Sequence, residues 1–371
     1  MERFSSPGRI EICGNHTDHN HGKVLVAAID LETLAECGRT ADNIVRIDSE
    51  GHAKITVDLN GKLEPSKSEF GMASALVKGV AKGFLDRELK VGGFTAKSTS
   101  TIPRAAGVSS SAAFEVLAAQ IFNVYYNDGK VDKNTLAAAA QYAENVFFGK
   151  PCGLLDQMGI AHGGITYIDF LSPQKPVVKV LQLSLKGYSI IVTSTGGDHG
   201  SLTQYYAAVR NEMHGVARFF NKEYLADVPP ENFYSSIDKL QKAVSGRAIL
   251  RAAHFFDENE RVERAQKAVS AGDLNGLFAA VNESGESSYK LLQNCYTETD
   301  TAQRIPLALM LSKRVMTGGA VRVHGGGFSG TILAFVKDSD REKYLAAMTP
   351  VFGKENIFIT NIRNTGTIQI R

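Results

Sequence analysis

The chain has 371 residues, with 41 basic and 39 acidic side chains and a formal net charge of +2. Hydrophobic residues make up 43% and charged residues 22%, a balance that excludes a disordered chain. The near-zero charge leaves no positive excess for a dedicated nucleic-acid binder, and no run of 18 apolar residues offers a membrane span.

The length suits about two domains of roughly 100–200 residues each, which need no disulfide or metal to hold a core. Cys13, Cys37, Cys152 and Cys295 stand far apart and form no CxxC pair, so neither a zinc site nor a redox motif is signalled. The start of the chain has no apolar leader, and a reduced, cytoplasmic protein is expected.

The first chemical segment runs from Gly8 to Gly22, GRIEICGNHTDHNHG. Its three histidines lack the i, i+4 spacing of a helical metal site. Short side chains such as Asn15, His16, Thr17 and Asp18 suit the reading of sugar hydroxyls. The plainer alternative is a solvated loop. Residues 23–35 and 44–49 are apolar and partly β-branched, and read as strands.

A second segment, PRAAGVSSSAA from Pro103 to Ala113, leads small residues and a glycine into a helix predicted over 109–126. Free N–H groups in a helix's first turn form an anion site, and small side chains let phosphate oxygens approach. An ordinary serine cap is the alternative. An alanine-rich helix follows over 134–148 and carries Glu144, read in isolation as a solvated glutamate. The third segment, FGKPCGLLDQ from Phe148 to Gln157, sets Asp156 among apolar and glycine neighbours, where a carboxylate can take a proton from a hydroxyl. Taken alone, Asp156 reads more simply as a helix cap.

Strands are expected at 164–170 and 188–192, then helices at 201–220, 258–270, 273–292 and 302–315. Strands at 319–324 and 331–336 flank the fourth segment, Gly325-Gly326-Gly327-Phe328-Ser329-Gly330. A hairpin needs only one or two glycines, so this loop is expected to press on a ligand or another backbone. A helix at 340–349 and a strand at 356–360 complete the pattern. A strand-rich first half and a helix-rich second half predict an α+β fold in two lobes, 1–185 and 186–371.

These four segments, in this order, resemble the GHMP kinase superfamily and, within it, the galactokinase family. Galactokinases carry a GRxNLxGEHTDYNxGxVLPxA stretch, which the chain matches from Gly8 to Ala28. The family's PxGxGLSSSA loop matches Pro103 to Ala112, its FxGxxCGxxDQ stretch matches Phe147 to Gln157, and its GGGFGG motif matches Gly325 to Gly330. The resemblance implies a two-lobed fold with the active site in the cleft. The first lobe would be like ribosomal protein S5 and the second a ferredoxin-like α/β sandwich with extra helices.

It also implies transfer of the γ-phosphate of ATP to the anomeric hydroxyl of galactose. Carried over, Asp156 is the base, and Arg9 neutralises the phosphoryl charge and keeps Asp156 ionised. Ala105, Ala106, Gly107, Val108, Ser109, Ser110 and Ser111 wrap the ATP phosphates. Ser111 and Glu144 hold Mg2+, and Glu144 stands twelve residues before Asp156, as in the family. Asn15, His16, Thr17, Asp18 and Gly153 bind the sugar. A tyrosine in a pattern like HSLxxSEYxxRR corresponds to Tyr206, with Tyr205 as the fallback. No nucleic acid, membrane or obligate protein partner is implied.

The departures bear on substrate choice. Asn15 replaces the family glutamate, which would repel a C6 carboxylate, so galacturonate or another galacto-configured sugar is the rival substrate. His19 replaces a tyrosine, Ala105 a glycine, His324 a threonine and Ser329 a glycine. A non-catalytic sugar- and ATP-binding regulator is the rival from another class. It is disfavoured by the retention of Arg9, Glu144, Asp156 and the serine loop. A nucleic-acid or ribosome-associated factor would rest on fold likeness alone.

Overall fold

The computed structural model describes residues 1–103, 106–196, 202–328 and 330–370. The first half opens with a long hairpin, β1 (Glu2–Cys13) and β2 (Lys23–Arg39), paired antiparallel with Ile10 opposite Ala27. The register shifts between Pro7 and Arg9 and again between Glu11 and Cys13. Such irregularities re-aim side chains, and here they fall on both sides of Arg9. Residues 8–13, expected among the polar loop, are therefore strand and fully buried, so the solvated-loop reading fails for them.

β3 (Ile44–Ser49) and β4 (Ile55–Asp58) form a second hairpin, followed by α1 (Ala73–Leu85) and β5 (Phe94–Ser100), which lies parallel to β3 and antiparallel to β2. Next come α2 (Ser110–Tyr126) and α3 (Lys133–Tyr142), the latter running into a π-helical turn over Ala143–Phe147. Then follow α4 (Leu155–His162), β6 (Ile165–Asp169) and β7 (Val177–Leu181). β2 is buried without a break from Val24 to Ile29 because both its faces are covered. On one side Gly159 of α4 lets Val26 approach, and on the other α8, described below, lies across the strand.

β8 (Tyr188–Ser194) begins a second sheet. The helices α5 (Thr203–Phe219), α6 (Pro230–Tyr234), α7 (Ile237–Leu240), α8 (Gly246–Ala271), α9 (Leu274–Ser287) and α10 (Arg304–Val315) come before β9 (Gly319–His324) and β10 (Thr331–Lys337). α11 (Arg341–Phe352), β11 (Ile357–Thr360) and β12 (Ile368–Ile370) finish the chain. The second sheet runs β11-β8-β10-β9, all antiparallel. β12 does not join it. It pairs with β1, so the end of the chain returns to the first sheet, whose order is β12-β1-β2-β5-β3-β4 with β6 and β7 appended to β2.

This is the α+β class the sequence pattern predicts, built on two sheets. One apolar core crosses the two halves, joining Ile10 and Val26 to Leu277 and Phe335. No helix of the described residues is long and apolar enough to cross a membrane.

Candidate active site

The site gathers where β1, the start of α2, the π turn and the start of α4 meet. Arg9, only 6% exposed, extends from β1 and grips Asp156 with two parallel hydrogen bonds, Nε to Oδ1 at 2.7 Å and Nη2 to Oδ2 at 3.0 Å. Its third nitrogen donates to the carbonyl of Gly107 at 2.6 Å, which ties the guanidinium to the phosphate-loop segment. Fork-to-fork pairing of this kind fixes orientation as well as charge. Burial alone would raise the Asp156 carboxyl, but the Arg9 guanidinium and the Ser109 hydroxyl outweigh it and hold the group below its ordinary value. Asp156 lies inside the first turn of α4, whose cap position is Leu154, so it is not the helix cap.

Ser109 does occupy the cap position of α2, yet it makes no side-chain cap bond. Its backbone is left-handed, with φ 64°, and its hydroxyl donates to Asp156 instead. The plain N-cap reading therefore fails, and the first-turn N–H groups of α2 are left without a side-chain cap. Ala106 and Val108 are buried beneath this turn, while Gly107 and Ser110 are exposed. Ala105 lies outside the described residues.

Glu144 is 1% exposed, against the expectation of a solvated helix glutamate. The π turn aims it inward, where Oε1 accepts from Ser111 at 3.0 Å and from Lys150 at 3.0 Å. Oε2 accepts from Gln157 at 2.9 Å and Cys152 at 3.2 Å. π turns often mark functional sites because they displace side chains from the helical register.

On the opposite side stands Asp18. Its Oδ1 accepts from the His19 N–H at 2.9 Å. Gly153 faces it: a Cβ there would lie 1.6 Å from Asp18 Oδ2, so only glycine fits. Burial, with Asp156 nearby, raises the Asp18 carboxyl to about 6.

His16 and His19 form a relay of neutral rings. Asn20 Nδ2 donates to His19 Nδ1 at 2.9 Å, His19 Nε2 to His16 Nδ1 at 3.3 Å, and His16 Nε2 to the Gly326 carbonyl at 3.0 Å. An amide N–H only donates and a carbonyl only accepts, which fixes both tautomers. Burial lowers His16 to about 4 and holds His19 well below its ordinary value, so neither is charged at neutral pH.

Two expected sugar contacts are corrected. Thr17 is fully buried, and its hydroxyl is spent on the carbonyls of Gly14 at 2.9 Å and Lys23 at 2.7 Å. Asn15 is also fully buried. Its Nδ2 donates to Glu11 Oε1 and to the Gly325 carbonyl, both at 2.8 Å, and its Oδ1 accepts from Asn294 at 2.8 Å and Ser288 at 3.3 Å. An amide side chain has two protons and two lone pairs, so nothing remains for a ligand.

The glycine-rich loop closes this wall, and it is pressed on as its composition predicts. A Cβ at Gly326 would lie 2.4 Å from the Tyr206 ring, and one at Gly327 would lie 2.1 Å from the Asn294 carbonyl. Tyr206 donates to the Gly327 carbonyl at 3.3 Å, while Tyr205 packs on Phe328. The His199 end of the tyrosine pattern and Ser329 lie outside the described residues. His324 accepts from the Glu11 N–H at 2.9 Å, and burial first, then Arg9 and Arg322, keep it neutral.

Sequence reasoning missed the layer behind this wall. Glu258 of α8 is fully buried, accepts from Gly14 N–H at 2.8 Å and Arg261 at 2.7 Å, and also accepts from Ser284. Arg322 of β9, also fully buried, donates to Glu11 at 3.0 Å. No local signal marks Glu258 or Arg322. Glu11 had one: the family stretch has asparagine at its position.

The fold and the site together define a GHMP kinase. Residues 75–164 match the GHMP kinases N terminal domain, and residues 2–39 match the galactokinase galactose-binding signature. The mevalonate kinase of Methanococcus jannaschii shares the fold at a TM-score of 0.68 and 16% identity, over 98% of each chain. The Lactococcus lactis galactokinase, solved in complex with galactose, superposes with a TM-score of 0.85 at 26% identity, covering 100% of this chain and 95% of that one. A galactokinase from Clostridium tetani (strain Massachusetts / E88) is 30% identical over 381 residues, spanning 100% of this chain and 94% of that protein. The chain belongs to the galactokinase family.

Proposed function

We propose that this sugar kinase transfers the γ-phosphate of ATP to the anomeric hydroxyl of galactose in the cleft between Asp18, Asp156 and the N-terminus of α2. The observation that carries the reading is the two-pronged Arg9–Asp156 pair set directly against Gly107 and Ser109. It supports the reading because an ionised carboxylate and a fixed cation then stand beside the loop proposed to receive phosphate.

In this reading Asp156 orients the sugar hydroxyl and receives its proton as the oxygen bonds to the γ-phosphorus and ADP departs. A carboxylate held below its ordinary value is a weak base. It suits phosphoryl transfer, where positioning and charge stabilisation dominate and the proton leaves late. Arg9 offsets the charge on the transferring group. Residues 106–111 face the phosphates with backbone N–H groups and hydroxyls. Asp18, Gly153 and Tyr206 form the sugar wall, and His16, with both ring nitrogens spent on His19 and the Gly326 carbonyl, steadies it.

Ser111 and Glu144 suit Mg2+, because a hydroxyl and a carboxylate are hard oxygen donors and their oxygens lie 3.0 Å apart. Lys150, whose side chain is 63% exposed, already places a positive charge on Glu144. Bound there, Mg2+ supplies charge neutralisation of the phosphate oxygens. The galacturonate reading loses its basis, since Asn15 points inward. The four cysteines are free.

ADP release with galactose, ATP and Mg2+ tests the proposal. Turnover is expected, and kcat/KM for galactose is expected to fall as pH drops through about 6. Asp18 is charged above that value and protonated below it, losing its role as an acceptor. Asp18→Asn is expected to lower kcat/KM and flatten that acid limb. An unchanged limb would remove Asp18 from the sugar wall.

A further inference from the structure

The galactokinase stretch quoted above has asparagine where this chain has Glu11, and glutamate where it has Asn15. The two side chains that differ from the pattern in opposite senses touch each other, Asn15 Nδ2 to Glu11 Oε1 at 2.8 Å. We propose that they are a reciprocal exchange: the site keeps its carboxylate, supplied from β1 by Glu11, and Asn15 is the amide that holds it. Glu11 is a positioning and specificity-determining residue that acts through Asn15 and Arg322. The inference rests on the galactokinase reading.

Three observations carry it. Every hydrogen-bonding valence of Asn15 is used inside the protein, so Asn15 does not replace the family glutamate as a reader of ligand. Glu11 is built in: it is 5% exposed and takes the Asn15 amide and the fully buried Arg322 guanidinium on one oxygen. It also lies within the electrostatic reach of Arg9 and Asp18.

Through Asn15 the pair ties β1 to the Gly325 carbonyl, and His16, next in sequence, bonds the Gly326 carbonyl. The sugar loop and the glycine-rich loop are thus fixed to each other by the Glu11–Asn15 contact. In a poorly solvated wall a carboxylate is felt several ångströms away. The negative charge therefore still disfavours a C6 carboxylate, and the enzyme is selective for a neutral hexose over a hexuronate.

The test compares wild type, Glu11→Asn, Asn15→Glu and the double exchange at pH 8, above the Glu11 value of about 7. Each single variant is expected to lower kcat/KM for galactose roughly 10–10²-fold, the cost of a misplaced binding group, chiefly through KM for galactose and with KM for ATP little changed. Glu11→Asn strips Arg322 of its carboxylate, whereas Asn15→Glu sets two carboxylates in contact. The double exchange is expected to recover to within about threefold of wild type, the mark of a directly coupled pair.

A double variant reduced by the product of the two single losses would overturn the exchange. Glu11→Gln keeps the side-chain volume if Glu11→Asn does not fold. It is expected to shift the galacturonate-to-galactose turnover ratio roughly threefold to fivefold toward galacturonate, one missing charge interaction being worth about that much. An unshifted ratio would overturn the charge role. Thermal stabilisation by galactose is read on all the proteins. If wild type binds galactose without turning it over, the kinase reading fails while the order of stabilisation still decides the exchange.

Discussion

Asp156→Asn is expected to lower kcat with galactose roughly 10²–10⁴-fold, the range for loss of a positioned proton acceptor. Asparagine keeps the shape of the side chain but removes one acceptor oxygen and the charge. Arg9 would then keep a single good acceptor at Asp156 along with the Gly107 carbonyl, which it reaches at 2.6 Å. The Ser109 hydroxyl would lose its charged partner as well. Some stability would be lost, because Arg9 is 6% exposed and a buried cation without its counter-charge is costly. A thermal midpoint measured alongside kcat separates the two effects. A variant that stays folded in the assay and retains more than a few per cent of wild-type kcat would show that Asp156 is not the proton acceptor.

Glu258→Gln is expected to destabilise the protein by about 3–5 kcal/mol, the usual cost of removing one partner from a buried charge cluster. Burial opposes ionisation of Glu258, yet His254, Arg261 and Arg322 outweigh it and hold the carboxyl well below its ordinary value. Such a group adds stability above the pKa of the unfolded chain. That contribution is lost as pH falls through the folded value. With the charge gone, Arg261 loses its carboxylate partner and keeps the Ser287 hydroxyl, and Arg322 keeps Glu11 as its one carboxylate partner. The Gly14 N–H loses a charged acceptor, so the sugar loop is expected to loosen as well. Urea midpoints of the two proteins measure the first effect and KM for galactose the second. Equal midpoints would contradict the role assigned to the cluster.

The sequence revealed the parts of this protein that depend on local chemistry. The glycine-rich loop was legible because four glycines in six positions need a close neighbour, and Tyr206 and Asn294 provide it. The apolar run from Val24 to Ile29 reads as a strand, and it is one, buried without a break. Helices α2, α3, α9 and α10 announce themselves by period and composition.

What stayed hidden depends on partners distant in the chain. β1 mixes serine, arginine and glutamate, and is a strand only because β2 and β12 pair with it. β12 is three residues long and carries no pattern of its own. Arg9 and Asp156 were found from the family motifs. The reason Asp156 stays ionised, a contact across 147 positions, is not written locally.

Asn15 is the instructive failure. Its identity pointed to the ligand, but Glu11, Gly325, Asn294 and Ser288 had claimed every one of its hydrogen bonds. The paired change at Glu11 was present in the same stretch and was the signal to use.

One measurement addresses the central claim most directly. The product formed from galactose and ATP with Mg2+ is examined by phosphorus and proton NMR, beside a mixture lacking ATP. Attack through the hydroxyl held by Asp156 predicts one sugar phosphate, with the phosphorus coupled to the anomeric proton. A phosphate on any other oxygen, or ADP released with no phosphorylated sugar, would contradict the placement of Asp156, Arg9 and the α2 N-terminus around the anomeric hydroxyl.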